Sequence, residues 1–180
     1  MVATTRDLKN DIDEIMPGVI ADRRYLHQHP ELGFQEFETA KLVSERLESM
    51  GVEDIRTGIA VTGVTGLIKG TKAGGPEKVV LVRADMDALP ILEENDVDYR
   101  SQVDGKMHAC GHDAHTSMLL GVGRLLLDRR DEFSGTVKLL FQPAEEGGGG
   151  ARVMIEEGVL EDPPVDLVFG QHVVAELPVG

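Results

Sequence analysis

Val79-Val80-Leu81-Val82-Arg83-Ala84-Asp85-Met86-Asp87 opens with four consecutive apolar residues and closes on two carboxylates. An unbroken apolar run reads as a strand buried on both faces, the habit of a largely parallel sheet, whereas a sheet with one wet face alternates. Asp85 and Asp87 then fall at the end of a buried strand. A carboxylate there is costly unless it is paired or bound to a metal.

Two more predicted strands end the same way. Residues 135–141 lead straight into Gln142-Pro143-Ala144-Glu145-Glu146, and residues 165–170 lead into Gln171-His172. Between Asp87 and Gly135 lies Met107-His108-Ala109-Cys110-Gly111-His112-Asp113-Ala114-His115-Thr116, which holds three histidines, a carboxylate and the single cysteine. A helix over 113–127 follows, with Met118, Val122, Leu125 and Leu126 expected to face inward.

Toward the N-terminus, Leu8, Ile12, Ile15, Val19 and Leu26 recur at helical spacing from a polar start at Thr4, and Pro17 is expected to kink or divide that helix. Pro30 ends it by pushing His29 out of helical geometry. His27 and His29 read as structural. A second helix is expected over 35–50, with Phe37, Ala40, Val43, Leu47 and Met50 on one face and Gly51 just past its end. Short β pieces follow at 52–56 and 61–69, then a turn at Ala73-Gly74-Gly75-Pro76. The tract Gly147 to Gly150 reads as a tight turn before a helix over 151–157. Strands alternating with helices imply a three-layer α/β domain, and ligand sites in such sheets lie outside the carboxyl ends of the strands. Asp85, Asp87, Glu145, Glu146 and His172 all follow predicted strand ends.

Composition excludes some partners. A net charge of −14, with seven lysines in 180 residues, argues against nucleic-acid and anionic-membrane surfaces, which need basic patches. No apolar run approaches the roughly 18–20 residues needed to span a membrane. Met1 to Asn10 carries Arg6, Asp7 and Lys9 and no apolar core of a signal peptide, and one cysteine cannot close an internal disulfide. Both point to the cytoplasm. One reading of the acidity is a high-salt cytoplasm, where screening tolerates dense surface carboxylates.

Cys110, His112, Glu146 and His172 form a mixed sulfur, nitrogen and oxygen donor set suited to zinc, or to manganese or cobalt as carboxylates contribute more. The adjacent glutamates divide naturally, with Glu146 holding the metal and Glu145 taking a proton from water. A helix beginning at Asp113 is expected to lower the Cys110 thiol pKa through its positive end.

The succession Arg23-Arg24-x-Leu26-His27-x-His29-Pro30-Glu31-Leu32-Gly33, Arg83-Ala84-Asp85-Met86-Asp87-Ala88-Leu89-Pro90, Met107-His108-Ala109-Cys110-Gly111-His112-Asp113-x-His115, Phe141-Gln142-Pro143-Ala144-Glu145-Glu146-Gly147 and Gly170-Gln171-His172 resembles the amidohydrolase branch of the aminoacylase and carboxypeptidase metallopeptidases. That branch includes hippurate hydrolases, N-acetyl-diaminopimelate deacetylases and indole-acetyl-amino-acid hydrolases. The resemblance implies a zinc-exopeptidase-like domain with a mostly parallel mixed sheet. It implies two divalent metal ions, Zn or Mn and possibly Co, held by Cys110, His112, Glu146 and His172, with Glu145 as general base. Asp87 joins Glu145 among the catalytic residues, and Asp85, His108 and His115 are expected to stand behind the donors.

The implied reaction is hydrolysis of the amide bond of small N-acyl amino acids. Members of the branch run to roughly twice this length, with a dimerising lid domain and a return to the catalytic domain that brings a further metal-ligating histidine. Residues 1–180 then correspond to the N-terminal part of a catalytic domain, expected to bind metal weakly, to turn over slowly or not at all, and to associate with itself or with a complementing chain. After the metal histidine the branch continues with an aromatic residue and a proline, where this chain has Val173-Val174-Ala175-Glu176. Two other readings stand beside this one: a Cys110-dependent hydrolase, and a metal-binding fragment or subunit half without catalysis.

Overall fold

A computed structural model describes residues 7–175, 177 and 178. The expected helix start at Thr4 lies outside them. Helix α1 spans Leu8–Gln28, and the Asp7 side chain caps it by accepting from the Lys9 N–H. Pro17 does not divide α1, which runs unbroken through it. Packing on either side of the proline holds the helix together: Ile15 and Val19 close over Gly121, where an added Cβ would come within 2.8 Å of Val19. His29 caps the far end, stacked on Tyr25.

Helix α2 spans Phe37–Met50 and ends at Gly51 in a left-handed conformation (φ 84°), which glycine adopts without a Cβ clash. Val43 and Leu47 are buried on the expected face, but Phe37 is exposed. The Glu31 carboxylate accepts the N–H groups of Glu38 and Thr39 at this helix end, and the buried position beside it belongs to Glu36. That leaves Phe37 facing solvent.

The sheet has five strands: β1 (Glu53–Ile59), β2 (Gly63–Lys69), β3 (Val79–Asp85), β4 (Thr136–Gln142) and β5 (Leu167–Gly170), in the order β1-β2-β4-β3-β5. Strand β2 pairs antiparallel with both β1 and β4, while β3 pairs parallel with β4 and β5. Only β2 runs against the rest, because it is the return arm of a hairpin. Helix α3 (His112–Asp128) and α2 cover one face, where Val43, Leu47, Ile68, Ala84, Leu119, Leu139 and Phe141 form the larger core cluster. On the other face, α4 (Gly150–Glu156) contributes Met154 to a smaller cluster with Ala60, Leu81, Leu140 and Val159. This is the expected three-layer arrangement.

The inward face of α3 is wider than expected: Val122 and Leu126 do pack against the larger core cluster, but the deepest positions are others. Leu119 and Leu120 are its buried leucines, with Gly121 and Gly123, while Met118, Val122, Leu125 and Leu126 are half-buried. Two glycines let α1 and β4 approach closely, and the contact turns the helix toward them: a Cβ on Gly123 would meet Leu139 at 3.0 Å. Edge strand β5 is exposed along its length, with Leu167, Val168 and Phe169 all more than half exposed. Among the described residues no helix is long and apolar enough to cross a membrane.

Candidate metal centre

Strands β4, β3 and β5 lie side by side and parallel, so their carboxyl ends share one edge of the sheet. That register delivers Asp85 and Asp87, Glu145 and Glu146, and His172 to one place. Helix α3 adds Cys110 and His112 from the turn at its N-terminus, where Gly111 takes a left-handed conformation (φ 86°). His112 is fully buried. Its Nε2 lies 3.6 Å from Asp85 Oδ2, 3.9 Å from Glu146 Oε1 and 4.0 Å from Glu145 Oε2. Cys110 Sγ lies 3.3 Å from His172 Nε2. Donor atoms of Cys110, His112 and His172 fall within 4.8 Å of one another, as do those of His112, Glu145 and Glu146.

Among the described residues His112 Nε2 has no hydrogen-bond partner, while Nδ1 faces Asp87. A buried imidazole nitrogen left open, ringed by thiol, imidazole and carboxylate donors, fits a divalent cation of the zinc or manganese kind. Asp87 supports the set from behind. Its Oδ1 lies 3.3 Å from His112 Nδ1, and its two oxygens accept the N–H groups of Glu145 and Glu146, each at 2.9 Å. Burial alone would raise the Asp87 pKa, but the His112 contact and these two backbone donors hold it below the ordinary carboxylate value. For His112, burial pulls the pKa down, yet Asp87 and Asp85 together keep it above its ordinary value.

The Glu145-Glu146 turn depends on a residue with no signal in the sequence. Ala144, just before it, has a positive φ of 49°, a region non-glycine residues seldom enter. The fully buried Glu36 carboxylate accepts the Ala144 N–H at 2.8 Å and the Thr62 hydroxyl at 2.6 Å, fixing this conformation. Either donor left buried without a partner would cost about 1–3 kcal/mol. Gly150 closes the turn, since a Cβ there would overlap the Pro143 carbonyl oxygen.

The thiol departs from expectation. Burial, then the neighbouring Glu146, Asp85 and Glu145, push the Cys110 pKa up to about 11, so these effects outweigh the helix terminus. Only a cation replacing the thiol proton makes this sulfur a strong donor. The same environment weighs against a thiolate nucleophile, although the Cys110–His172 contact is the kind such an enzyme would use.

His115 is fully buried, with Nδ1 2.6 Å from Asp85 Oδ1. His108 is also buried, but it belongs to none of the donor groups, and burial pushes its pKa down to about 4. It lines a cleft of about 460 Å³ that runs from Arg23 and Asn95 past Cys110 to His172 and Val174.

His27 holds α1 to the start of α3. Its Nδ1 lies 2.8 Å from Asp113 Oδ2 and its Nε2 3.0 Å from Glu93 Oε1. The Asp113 hydrogen bond, opposed by burial and joined by Glu93, raises the His27 pKa above 6.5. Asp113 and Glu93 are held below 3.8 and 4.5, since His27 and their other donors outweigh burial. The stability from His27 is therefore complete below about pH 6.5 and is lost as pH rises through its higher folded value. The carboxylates' contribution is present above their unfolded values and is lost on acidification. Thermal melts of the metal-free chain should peak toward the upper end of the window from about pH 4.5 to 6.5, because the neutral, buried His108, its pKa pushed down to about 4, costs stability as pH falls below 6.5. His27→Gln, costing about 1–3 kcal/mol in that window, should flatten the alkaline decline. An unchanged decline in the variant would show that His27 is not its source.

These elements match known proteins. The model of peptidase family M20/M25/M40 matches residues 81–180. The chain belongs to that family. Among curated relatives, it is 51% identical over 172 residues to IAA-amino acid hydrolase ILR1-like 4 of Arabidopsis thaliana, covering 96% of this chain and 37% of the relative. It is 44% identical over 178 residues to the N-acyl-L-amino acid amidohydrolase of Geobacillus stearothermophilus, covering 98% and 46%. The crystal structure of Bacillus subtilis YXEP protein, described as a dinuclear metal binding peptidase of the M20 family, superposes with a TM-score of 0.85 at 46% identity, covering 93% of this chain and 45% of that one. The chain thus spans less than half the length of each.

Proposed function

We propose that this chain carries the first part of a metal-dependent amidohydrolase site acting on N-acyl amino acids. The observation that carries the reading is the open, buried His112 Nε2 facing Glu145 and Glu146, beside Cys110 and His172. In this reading Cys110, His112, Glu146 and His172 hold two divalent ions, zinc or manganese and possibly cobalt. Such ions, when bound, lower the pKa of water and polarise an acyl carbonyl.

Glu145 is the proton carrier. Its side chain is 41% exposed, against 25% for Glu146, so it has the freer carboxylate of the pair. It accepts the proton of the attacking water and returns it to the leaving amine. Asp87 keeps both glutamates and His112 in register through the three contacts described above. Asp85 stands behind His112 and His115, and His108 lines the cleft that passes Cys110 and His172. The substrate class is supported by the relatives' names, hydrolases of IAA-amino acids and N-acyl-L-amino acids. Hydrolysis of such amides that depends on added Zn²⁺ or Mn²⁺ and stops with a chelator tests the reading; turnover indifferent to chelator would reject it.

The shorter span relative to those proteins supports reading residues 1–180 as the N-terminal part of a catalytic domain, with weak metal binding and slow turnover in isolation. The exposed Leu167, Val168 and Phe169 on an unpaired edge then favour self-association or a complementing chain. Sedimentation should show species larger than a monomer that diminish in Phe169→Asp; a wild-type monomer would contradict it. A lone cysteine serving as a metal donor is in keeping with a cytoplasmic setting.

A further inference from the structure

His172 has the weakest footing of the four donors. It follows β5, which among the described residues pairs with β3 alone and is exposed throughout. Its own Nδ1 lies 2.6 Å from the Val173 carbonyl oxygen, and what holds Val173 in turn comes from α3. The Val173 N–H donates to His115 Nε2 at 2.9 Å. Because Nε2 accepts there, the His115 proton sits on Nδ1 and is donated to Asp85 Oδ1 at 2.6 Å. Asp85 is fixed in turn by Arg83, 2.7 Å from its Oδ2, and its backbone carbonyl accepts the Thr116 hydroxyl. A second contact locks the same residue: the Val173 side chain lies over Gly111, where a Cβ would come within 2.4 Å of it. The rings of His115 and His172 sit 4.7 Å apart.

We infer that His115 is a positioning residue that, through its single hydrogen bond to the Val173 backbone, holds His172 against Cys110 so that both can share a metal ion. The inference rests on the metal reading above. It also gives the buried trio of Asp85, His112 and His115 a role other than a metal site, since the free nitrogen of His115 is already occupied. Neighbours that orient a ligand typically govern metal affinity by 10–100-fold.

Two substitutions separate the two ends of the His115 ring. His115→Asn keeps a donor toward Asp85 and loses the acceptor for Val173. His115→Gln extends an amide oxygen to about the place of Nε2 and gives up Asp85. Val173 amide exchange, measured without metal, should be slow in the wild type and in His115→Gln and fast in His115→Asn. Calorimetric titration with Zn²⁺ should show one ion bound about 10–100-fold more weakly by His115→Asn and near wild-type binding by His115→Gln. Equal losses in the two variants, or wild-type affinity in His115→Asn, would overturn the inference.

Should His115→Asn fail to fold, Val173→Pro deletes the donor on a half-exposed segment and leaves α3 intact. Wild-type zinc affinity in that variant would overturn the inference equally. If the wild type itself takes up no zinc, the metal reading falls and this consequence with it, while amide exchange still decides whether the tether exists.

Discussion

Glu145→Gln keeps its metal and loses its chemistry. The substitution preserves size and leaves the backbone N–H that donates to Asp87 in place, so the Asp87–His112 support is untouched. It removes the one group proposed to carry the proton between water and amine. General acid–base groups commonly contribute 10²–10⁴-fold, so whatever turnover the metal-loaded chain shows should fall by about that factor. Metal content measured on the same sample should stay at the wild-type level. Loss of metal along with turnover would instead make Glu145 a ligand, and unchanged turnover would remove it from the mechanism.

His112→Asn has the opposite signature. An asparagine amide can still donate to Asp87 from the place of Nδ1, so the buried carboxylate keeps a partner and the fold should survive. Nothing then replaces Nε2. Because His112 belongs to both groups of candidate donors in the reading above, metal affinity should fall at least about 100-fold, the upper end of what orienting neighbours contribute. His112→Ala is the harsher change: Asp87 keeps the Glu145 and Glu146 N–H groups and Asp85 keeps His115 and Arg83, but both lose the neighbouring imidazole and a buried void replaces it. Retention of metal by a folded His112→Asn would show that the ion sits elsewhere.

Much of this architecture is legible in the residues because three strands announce themselves twice, by a β-rich, largely apolar stretch and by the polar group that ends it. Val79 to Val82 marks β3 as buried, and the parallel pairing with β4 and β5 follows from helices lying between them in sequence. Once the strands are parallel, their ends must share an edge, which is why five polar residues far apart in sequence gather there. Helix phase is harder to read. The α3 stripe misplaces Leu119 and Leu120 because Gly121 and Gly123, silent in any apolar pattern, decide which side approaches α1 and β4. Glu36 escapes for another reason: an acid near a helix start is ordinary on a surface, and only the fold carries it to Ala144 across 108 residues. The thiol escapes likewise, since the carboxylates that raise its pKa are neighbours in space alone.

The most direct test of the account is the metal content of the purified chain after dialysis against Zn²⁺ or Mn²⁺, set beside Cys110→Ala and His112→Asn. Divalent metal in the wild type and its loss from both variants is the expected result. Equal metal in all three, or none in the wild type, would contradict it.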